Sequence, residues 1–316
     1  MPEQPYEELY NRVLDATAII HMPVKIFTML IVIRHTPADM RHLSMFLLNG
    51  IVWNLCANLV FTFIHLYPMF PAQCFRADGL VSSVNNELFG HTVFISLFVC
   101  VVNCIVAVMN TFVYRYFIFH TKTKLKTVRA IVYCSAVHIG SFVVTVFLYC
   151  EWMIPVKDYP FGDSLLQEQS LLCFKPRGWE KTTALLLFAL GLLLAFAIAM
   201  AFTLMLLRSI HVQRGKIQKQ KLDRHRRILL TLVCIAMVPF IFGAIPLAVI
   251  IVTAANPYLP FAQNICIICI AIVSNHGTLY AISLIVALKP YRQAARTLLL
   301  RPWYNGCVQQ ICCDVK

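Results

Sequence analysis

The sequence predicts an all-α membrane protein, a bundle of seven transmembrane helices followed by a short amphipathic helix. Three observations carry this reading. Of the 316 residues, 59% are apolar and only 13% are charged, with a mean hydropathy of +0.73. A soluble chain is roughly 45–50% apolar and about 25% charged, so this excess cannot be hidden in one water-exposed domain. The charges also fall into short blocks separated by long uncharged intervals, and assigning the connections alternately to two sides gathers most of the bases on one of them. A soluble enzyme, a disordered chain and a nucleic-acid-binding domain are poor fits. The net charge of +13 would suggest nucleic acid in a soluble protein; here it asks on which side of a membrane the bases lie.

A helix crosses about 30 Å of hydrocarbon with roughly 20 apolar residues. The first span, near 13–33, is the weakest, because it holds Asp15, His21, Pro23 and Lys25. A charge near the middle of a span costs roughly 2.5–3.5 kcal/mol on translocon scales. The run from Ile26 to Ile33, apolar apart from Thr28, still reads as membrane-spanning. Between Arg41 and Arg76 lie 34 uncharged residues, which supply a span near 43–66. The 27 residues between Glu87 and Arg115 supply 88–114. The 21 between Arg129 and Glu151 supply 128–150, and the 26 between Lys181 and Arg208 supply 183–207. The 61 residues between Arg227 and Lys289 are too many for one helix. Asn256-Pro257 and Pro260 divide them into 228–252 and 263–288.

Sidedness follows from alternating the connections. One side receives 34–42, 115–127 with Arg129, 208–227 and 289–316, and carries 20 Lys+Arg against 3 Asp+Glu. The other receives the N-terminus, 67–87, 151–182 and 253–262, and carries 6 Lys+Arg against 10 Asp+Glu. Positive residues mark the cytoplasmic side. The expectation is an outside N-terminus and an inside C-terminus, which requires an odd number of spans. The first twelve residues, with Glu3, Glu7 and Glu8, lack the basic region of a signal peptide, so the first helix is expected to act as its own anchor. No N-x-Ser/Thr sequon occurs. The whole of 1–316 reads as one bundle with a tail at 301–316.

The thirteen cysteines divide by compartment. Cys56, Cys100, Cys104, Cys134, Cys234, Cys266 and Cys269 lie in spans and read as small apolar packing residues. Cys266 and Cys269 form a C-x-x-C, but no second pair or histidine stands at zinc-site spacing, and no metal is expected. Cys74, Cys150 and Cys173 fall on the oxidising side. A Cys74–Cys173 bridge would tie the long loop after span 4 over the bundle mouth; Cys150 is the alternative partner. Cys307, Cys312 and Cys313 follow a membrane-surface helix on the cytosolic side. That is a setting for palmitoylation, and equally for unmodified tail thiols.

Three features mark the inner side. Tyr114-Arg115-Tyr116 closes the third span, with Arg115 able to snorkel beside its aromatic neighbours or to turn towards a partner protein. Segment 208–227 holds eight bases, Arg226 and Arg227 among them, against Asp223 alone. Such a run attracts anionic lipid or docks a partner. After Lys289-Pro290, the residues Tyr291, Ala294, Ala295, Leu298 and Leu299 repeat at helical spacing, with Arg292 and Arg296 opposite. This predicts an amphipathic helix over 290–300 lying in the interface plane.

Seven spans, an outside N-terminus, a long second outer loop, an Arg-ended third helix and a tail helix together look like a G-protein-coupled receptor. The detailed match is narrower. Ser274-Asn275-His276-Gly277-Thr278-Leu279, followed by Lys289-Pro290-Tyr291-Arg292, resembles the seventh-helix signature of nematode serpentine chemoreceptors of the Str superfamily, class H or class I. His35-Thr36-Pro37 at the first inner turn is similar to that family's Thr-Pro. Val238 to Pro246 on helix 6, with Pro239 and Pro246, is similar to its paired prolines. The resemblance implies a chemosensory receptor at the plasma membrane, in sensory cilia of chemosensory neurons. It also implies an odorant-like or pheromone-like small-molecule ligand, membrane lipid around the bundle and a heterotrimeric G protein as partner. Tyr114, Arg115, Tyr116, Arg226 and Arg227 are the implied coupling residues. Two departures separate the chain from rhodopsin-like receptors: Tyr114 replaces the acid before the third-helix Arg, and Pro290-Tyr291-Arg292 replaces N-P-x-x-Y.

The expected ligand site lies between the outer halves of the helices, with His65, Glu87, His91, Gln263 and Asn264 as candidate contacts; each also suits a helix-to-helix hydrogen bond. Asn54, Asn58, Asn103, Asn275 and His276 read as a deeper polar network. Pro239 and Pro246 each remove a backbone donor and mark a bend in helix 6. The alternative function is a small transporter or channel, which would want paired membrane acids or inverted repeats; only Asp15 is an acid within a span. No cofactor is expected, and the one membrane-embedded lysine, Lys25, is on helix 1 rather than helix 7, where a retinal protein carries its Schiff base. Neither H-E-x-x-H nor G-x-S-x-G occurs, so no enzymatic activity is expected. Nothing in the sequence sets an oligomeric state.

Overall fold

A computed structural model describes residues 5–84, 86–120, 124–160, 170–212 and 219–299. Among them, seven helices are long and apolar enough to cross a membrane. These are α1 (Pro5–His35), α2 (Arg41–Ile64), α3 (Glu87–His120), α4 (Lys124–Trp152), α5 (Trp179–Val212), α6 and α7 (Ala262–Ala287). The helix α6 has three parts: Lys219–Pro239, a π-helical turn Phe240–Ala244, and Ile245–Ala255. An eighth helix, α8, covers 289–299. The chain is a multi-pass membrane protein.

Several helices outrun their charge-free cores. The helix α3 continues six residues beyond Tyr114, α5 reaches Val212, and α6 begins at Lys219. Lys and Arg end a hydrophobic span, but both are good helix formers. The charge pattern therefore marks the apolar core and not the helix ends. At the other extreme, α1 starts by Pro5 because Tyr10 and Leu14 pack with Tyr67, Cys266 and Ile270. The Tyr10 hydroxyl donates to the Leu66 carbonyl at 2.9 Å. The same helix runs unbroken through Pro23.

The segments expected as plain loops on one end build a four-stranded antiparallel sheet. Its strands are β1 (Leu66–Pro68), β2 (Cys74–Ala77), β3 (Met153–Ile154) and β4 (Leu171–Phe174), in the order β1-β2-β4-β3. Such short strands carry too few residues to show a period-2 pattern. The register sets Cys74 opposite Cys173, and the two form a disulfide. Cys150 is a free, exposed thiol at the end of α4. Leu66, Tyr67, Leu171, Leu172 and Phe174 are buried against the helices, so the sheet is packed onto the bundle. Phe174 anchors it, with its ring 4.6 Å from Trp152, 5.4 Å from Tyr149 and 5.7 Å from Phe94.

At the opposite, basic end a second core joins α1, α2, α5, α6, α7 and α8 through Ile31, Leu43, Leu206, Leu229, Leu284 and Tyr291. Tyr291 is fully buried, and its hydroxyl lies 3.0 Å from that of Thr36. Burial pushes its phenol pKa up from the ordinary value. In α8, Tyr291, Ala294 and Ala295 pack inward while Leu298 and Leu299 stay exposed. The apolar stripe is thus shared between the bundle and the surroundings.

The disulfide closes a separation of 99 residues, and loss of such a bridge typically costs about 2–5 kcal/mol. Cys74→Ser and Cys173→Ser are expected to lower surface delivery equally, with no further loss in the double variant, whereas Cys150→Ser leaves it unchanged. Surface labelling of tagged variants measures all four.

Candidate functional site

Between the sheet end and the basic end, side chains from α1, α2, α3, α4 and α7 form buried polar contacts. Lys25 on α1 is 0% exposed. Its ammonium donates to the Asn54 side-chain oxygen, and reaches the Asn54 carbonyl at 3.4 Å. Among the described residues no carboxylate pairs with it. The Asn54 amide donates to His276 Nε2 at 3.0 Å, and His276 Nδ1 donates to the Val273 carbonyl. These two bonds require the Nδ1–H tautomer. Asn58 donates to His21 Nδ1 at 2.9 Å, so His21 carries its proton on Nε2 and donates to Asn275 Oδ1 at 3.0 Å. On the α4 side, Asn49 donates to His138 Nε2 at 2.9 Å, and His138 Nδ1 donates to Asn103 Oδ1 at 2.7 Å.

The signature residues Asn275, His276 and Gly277 therefore dock α7 onto α1 and α2. Gly277 is required by proximity: a Cβ there would overlap the Asn54 side chain, which is already held by Lys25 and His276. The network includes the five asparagine and histidine residues singled out from the sequence. It also includes Lys25, His21 and His138, which sequence reasoning did not place in it. Lys25 and His21 counted only as costs to span 1. Their spacing i, i+4 on one helix face was the available signal.

His276 also touches the bend in α6. Pro239 and Pro246 bracket the π-helical turn, and a Cβ on Gly243 inside that turn would lie 3.2 Å from the His276 ring. Each proline lacks the N–H for an i→i−4 bond, and the wider turn lies between them. A cavity of about 130 Å³ borders this point, lined by Asn54, Thr203, Phe240, Gly243 and His276 among others. A second cavity of about 540 Å³ lies nearer the sheet, between α3, α4, α5 and α6. Val101, Ile105, Leu192, Ala195 and Leu247 line both.

None of the five candidate ligand contacts lines either cavity. His65 caps α2 with φ 42° and faces Asp15 at 3.4 Å. His91 is buried, with Nδ1 2.8 Å from the Tyr149 hydroxyl. Glu87 accepts the Val156 N–H at 2.8 Å, and Gln263 donates to the Tyr67 hydroxyl at 3.1 Å. Asn264 is exposed beside a shallow surface depression. Four of the five engage neighbouring groups at the sheet end, Glu87 a backbone N–H and His65, His91 and Gln263 the side chains of Asp15, Tyr149 and Tyr67. The large cavity is lined by apolar side chains that carried no sequence signal.

At the basic end, Arg115 lies within α3 rather than at its end, half-buried, with Nε buried and without a hydrogen-bond partner among the described residues. Tyr114 points inward: it is buried and stacks on Phe46 at 4.2 Å, which removes it from the surface proposed for coupling. Tyr116 packs on Phe202 at 5.2 Å. Arg226 and Arg227 are exposed. Arg292 donates to the Val286 carbonyl at 3.0 Å, and Pro290 lies in the first turn of α8. Cys307, Cys312 and Cys313 lie outside the described residues.

Residues 5–301 match the family model of the serpentine type 7TM GPCR chemoreceptor Srh. The chain belongs to this family. Among curated proteins none is detectably similar in sequence. The match selects class H of the two chemoreceptor classes that the seventh-helix signature suggested, and Srh is a receptor family. The Srh match spans all seven helices and α8, so the polar centre, the bend and both cavities fall within it.

The centre makes a graded prediction. Asn54→Ala takes the side-chain acceptor from the Lys25 ammonium and leaves it only the backbone carbonyl at 3.4 Å, a loss of about 3 kcal/mol. Lys25→Met removes donor and charge together and leaves only Asn54 short of a bond, about 1–3 kcal/mol. Gly277→Ala is expected to cost about 1–3 kcal/mol by overpacking. Thermal unfolding of the purified variants should rank Asn54→Ala as the most damaging; equal losses for Asn54→Ala and Lys25→Met would discard the assigned role of the pair.

Proposed function

We propose that this Srh-family chain is a chemosensory receptor. It detects an odorant-like or pheromone-like small molecule in the 540 Å³ cavity and signals to a heterotrimeric G protein at its basic end. The observation that carries the reading is continuity. The two cavities share wall residues on α3, α5 and α6, and the inner one touches the π-helical turn and His276. A ligand that changes the packing of α5 against α6 acts on the turn between Pro239 and Pro246. Below that turn α6 carries Arg226 and Arg227. A ligand shifts such a two-state bundle only through its differential affinity for the two arrangements.

The charge distribution supports a cytosolic basic end and an outside sheet end, and a disulfide at the sheet end suits an oxidising compartment. Plasma-membrane and ciliary placement are part of the same proposal. Arg115, Tyr116, Arg226 and Arg227 are the proposed coupling residues. Arg115 has a buried guanidinium nitrogen without a hydrogen-bond partner among the described residues, so a carbonyl or carboxylate that reaches it gains a charge-assisted bond there.

Compounds are to be screened, volatile and water-soluble, in cells carrying a promiscuous G-protein reporter. Arg115→Ala is expected to cut the ligand-evoked response at least tenfold at unchanged surface level; an intact response rejects its role. Epitope tags at the two termini of intact cells should label only the N-terminal one, and labelling of both on one face overturns the orientation.

A further inference from the structure

The large cavity is roofed at the sheet end and open at its side. Phe70, Gln73, Phe75, Trp152 and Phe174 form the roof. Gln73, Trp152 and Phe174 are 3%, 5% and 1% exposed. The Gln73 amide is fixed to the Ala254 carbonyl at 2.8 Å. Towards the outside of the bundle the walls differ. Gly140 and Val144 on α4, and Leu187, Gly191 and Leu194 on α5, line the cavity and are also exposed. A Cβ on Gly140 or Gly191 would meet nothing within 4 Å. Glycine inside a helix costs roughly 0.5–1 kcal/mol relative to alanine, and neither of these two is required by close helix packing. Together they leave a gap between α4 and α5. The gap lies in the uncharged part of both spans, so it faces hydrocarbon.

The lining sets the chemistry of an occupant. Almost every wall residue is apolar. Of the polar ones, Ser141 is engaged with the His138 carbonyl and Asn103 Oδ1, and the Trp152 indole with the Lys175 carbonyl. Thr145, 2% exposed, has no hydrogen-bond partner among the described residues. The volume of about 540 Å³ falls in the range of roughly 300–1,000 Å³ usual for ligand sites.

We infer that the gap at Gly140 and Gly191 is a lateral portal, through which a membrane-dissolved, mainly apolar ligand with one small hydrogen-bonding head enters from the lipid and meets Thr145. Medium-chain alcohols, ketones and esters have this form. Partition into the bilayer concentrates such a molecule at the portal, and the roof keeps water from the cavity. The inference takes its signalling consequence from the receptor reading above; entry and occupancy stand without it.

The test uses the full chain in phosphatidylcholine nanodiscs, without any G protein, and a diazirine-bearing decan-1-ol as probe. Saturable labelling of Thr145 and Leu148, competed by unlabelled decan-1-ol, is expected above the non-saturable labelling of lipid-facing Phe147 and Leu193. The double variant Gly140→Trp with Gly191→Trp places both rings in open space and should slow saturable labelling at least tenfold. Gly140→Ala with Gly191→Ala should not. Thr145→Val should weaken competition about fivefold. A second measurement avoids bulky changes: in Thr145→Cys, a lipid-soluble alkyl maleimide should react faster than in the parent chain, and a charged thiol reagent should not. No saturable labelling, wild-type labelling rates in the tryptophan variant, or reaction of Thr145→Cys with the charged reagent alone would each overturn the portal. Because neither readout involves signalling, a failure of G-protein coupling in the reporter cells would leave the portal standing.

Discussion

A buried ammonium answered by an amide, with no carboxylate beside it among the described residues, organises the middle of this bundle. Lys25 cannot be left without acceptors in an apolar interior, so Asn54 must be held where it accepts. Holding Asn54 brings His276 and α7 close, and that approach is why position 277 has no side chain. The same histidine abuts the widened turn of α6. One unfavourable charge thus sets the contacts of α1, α2, α6 and α7 at a common depth. Polar groups inside a membrane bundle satisfy one another because lipid offers no substitute.

The two ends are built on different principles. At the sheet end a disulfide, four short strands and an aromatic cluster around Phe174 hold the connections down on the helices. The basic end is held by aliphatic packing and by the Thr36–Tyr291 contact that ties the first turn to α8. Between them lies the apolar cavity, walled by α3, α4, α5 and α6 and joined to the bend by shared residues. A packed end, a cavity and a proline-bracketed turn thus follow one another between the sheet end and the basic end.

The candidate site was legible where polarity carried it. Asn54, Asn58, Asn103, Asn275 and His276 stand out in spans otherwise free of polar groups, because each such residue must find a partner. Lys25 and His21 were equally visible but read only as penalties. His65, Glu87, His91 and Gln263 drew attention for the same polar character and turn out to engage neighbouring groups at the sheet end. The cavity itself left no mark in the sequence. Most of its wall is Val, Leu, Ile, Ala, Phe and Gly, the same residue types that face lipid elsewhere, and only the spacing of helices tells a void from a packed seam.

Taken alone, the amino-acid order determined the number of crossings, the charge asymmetry of the two ends and the helical class, since in hydrocarbon a chain of this composition can satisfy its backbone in few ways. It also carried the seventh-helix signature that led to the family. Tertiary structure decided the rest: the short sheet, the inward turn of Tyr114, the π-helical widening of α6 and the gap beside Gly140 and Gly191. These depend on which faces of the helices meet. In a chain that is apolar almost all round, periodicity does not mark those faces, so side-chain volume and buried hydrogen bonds select them only after the helices have come together.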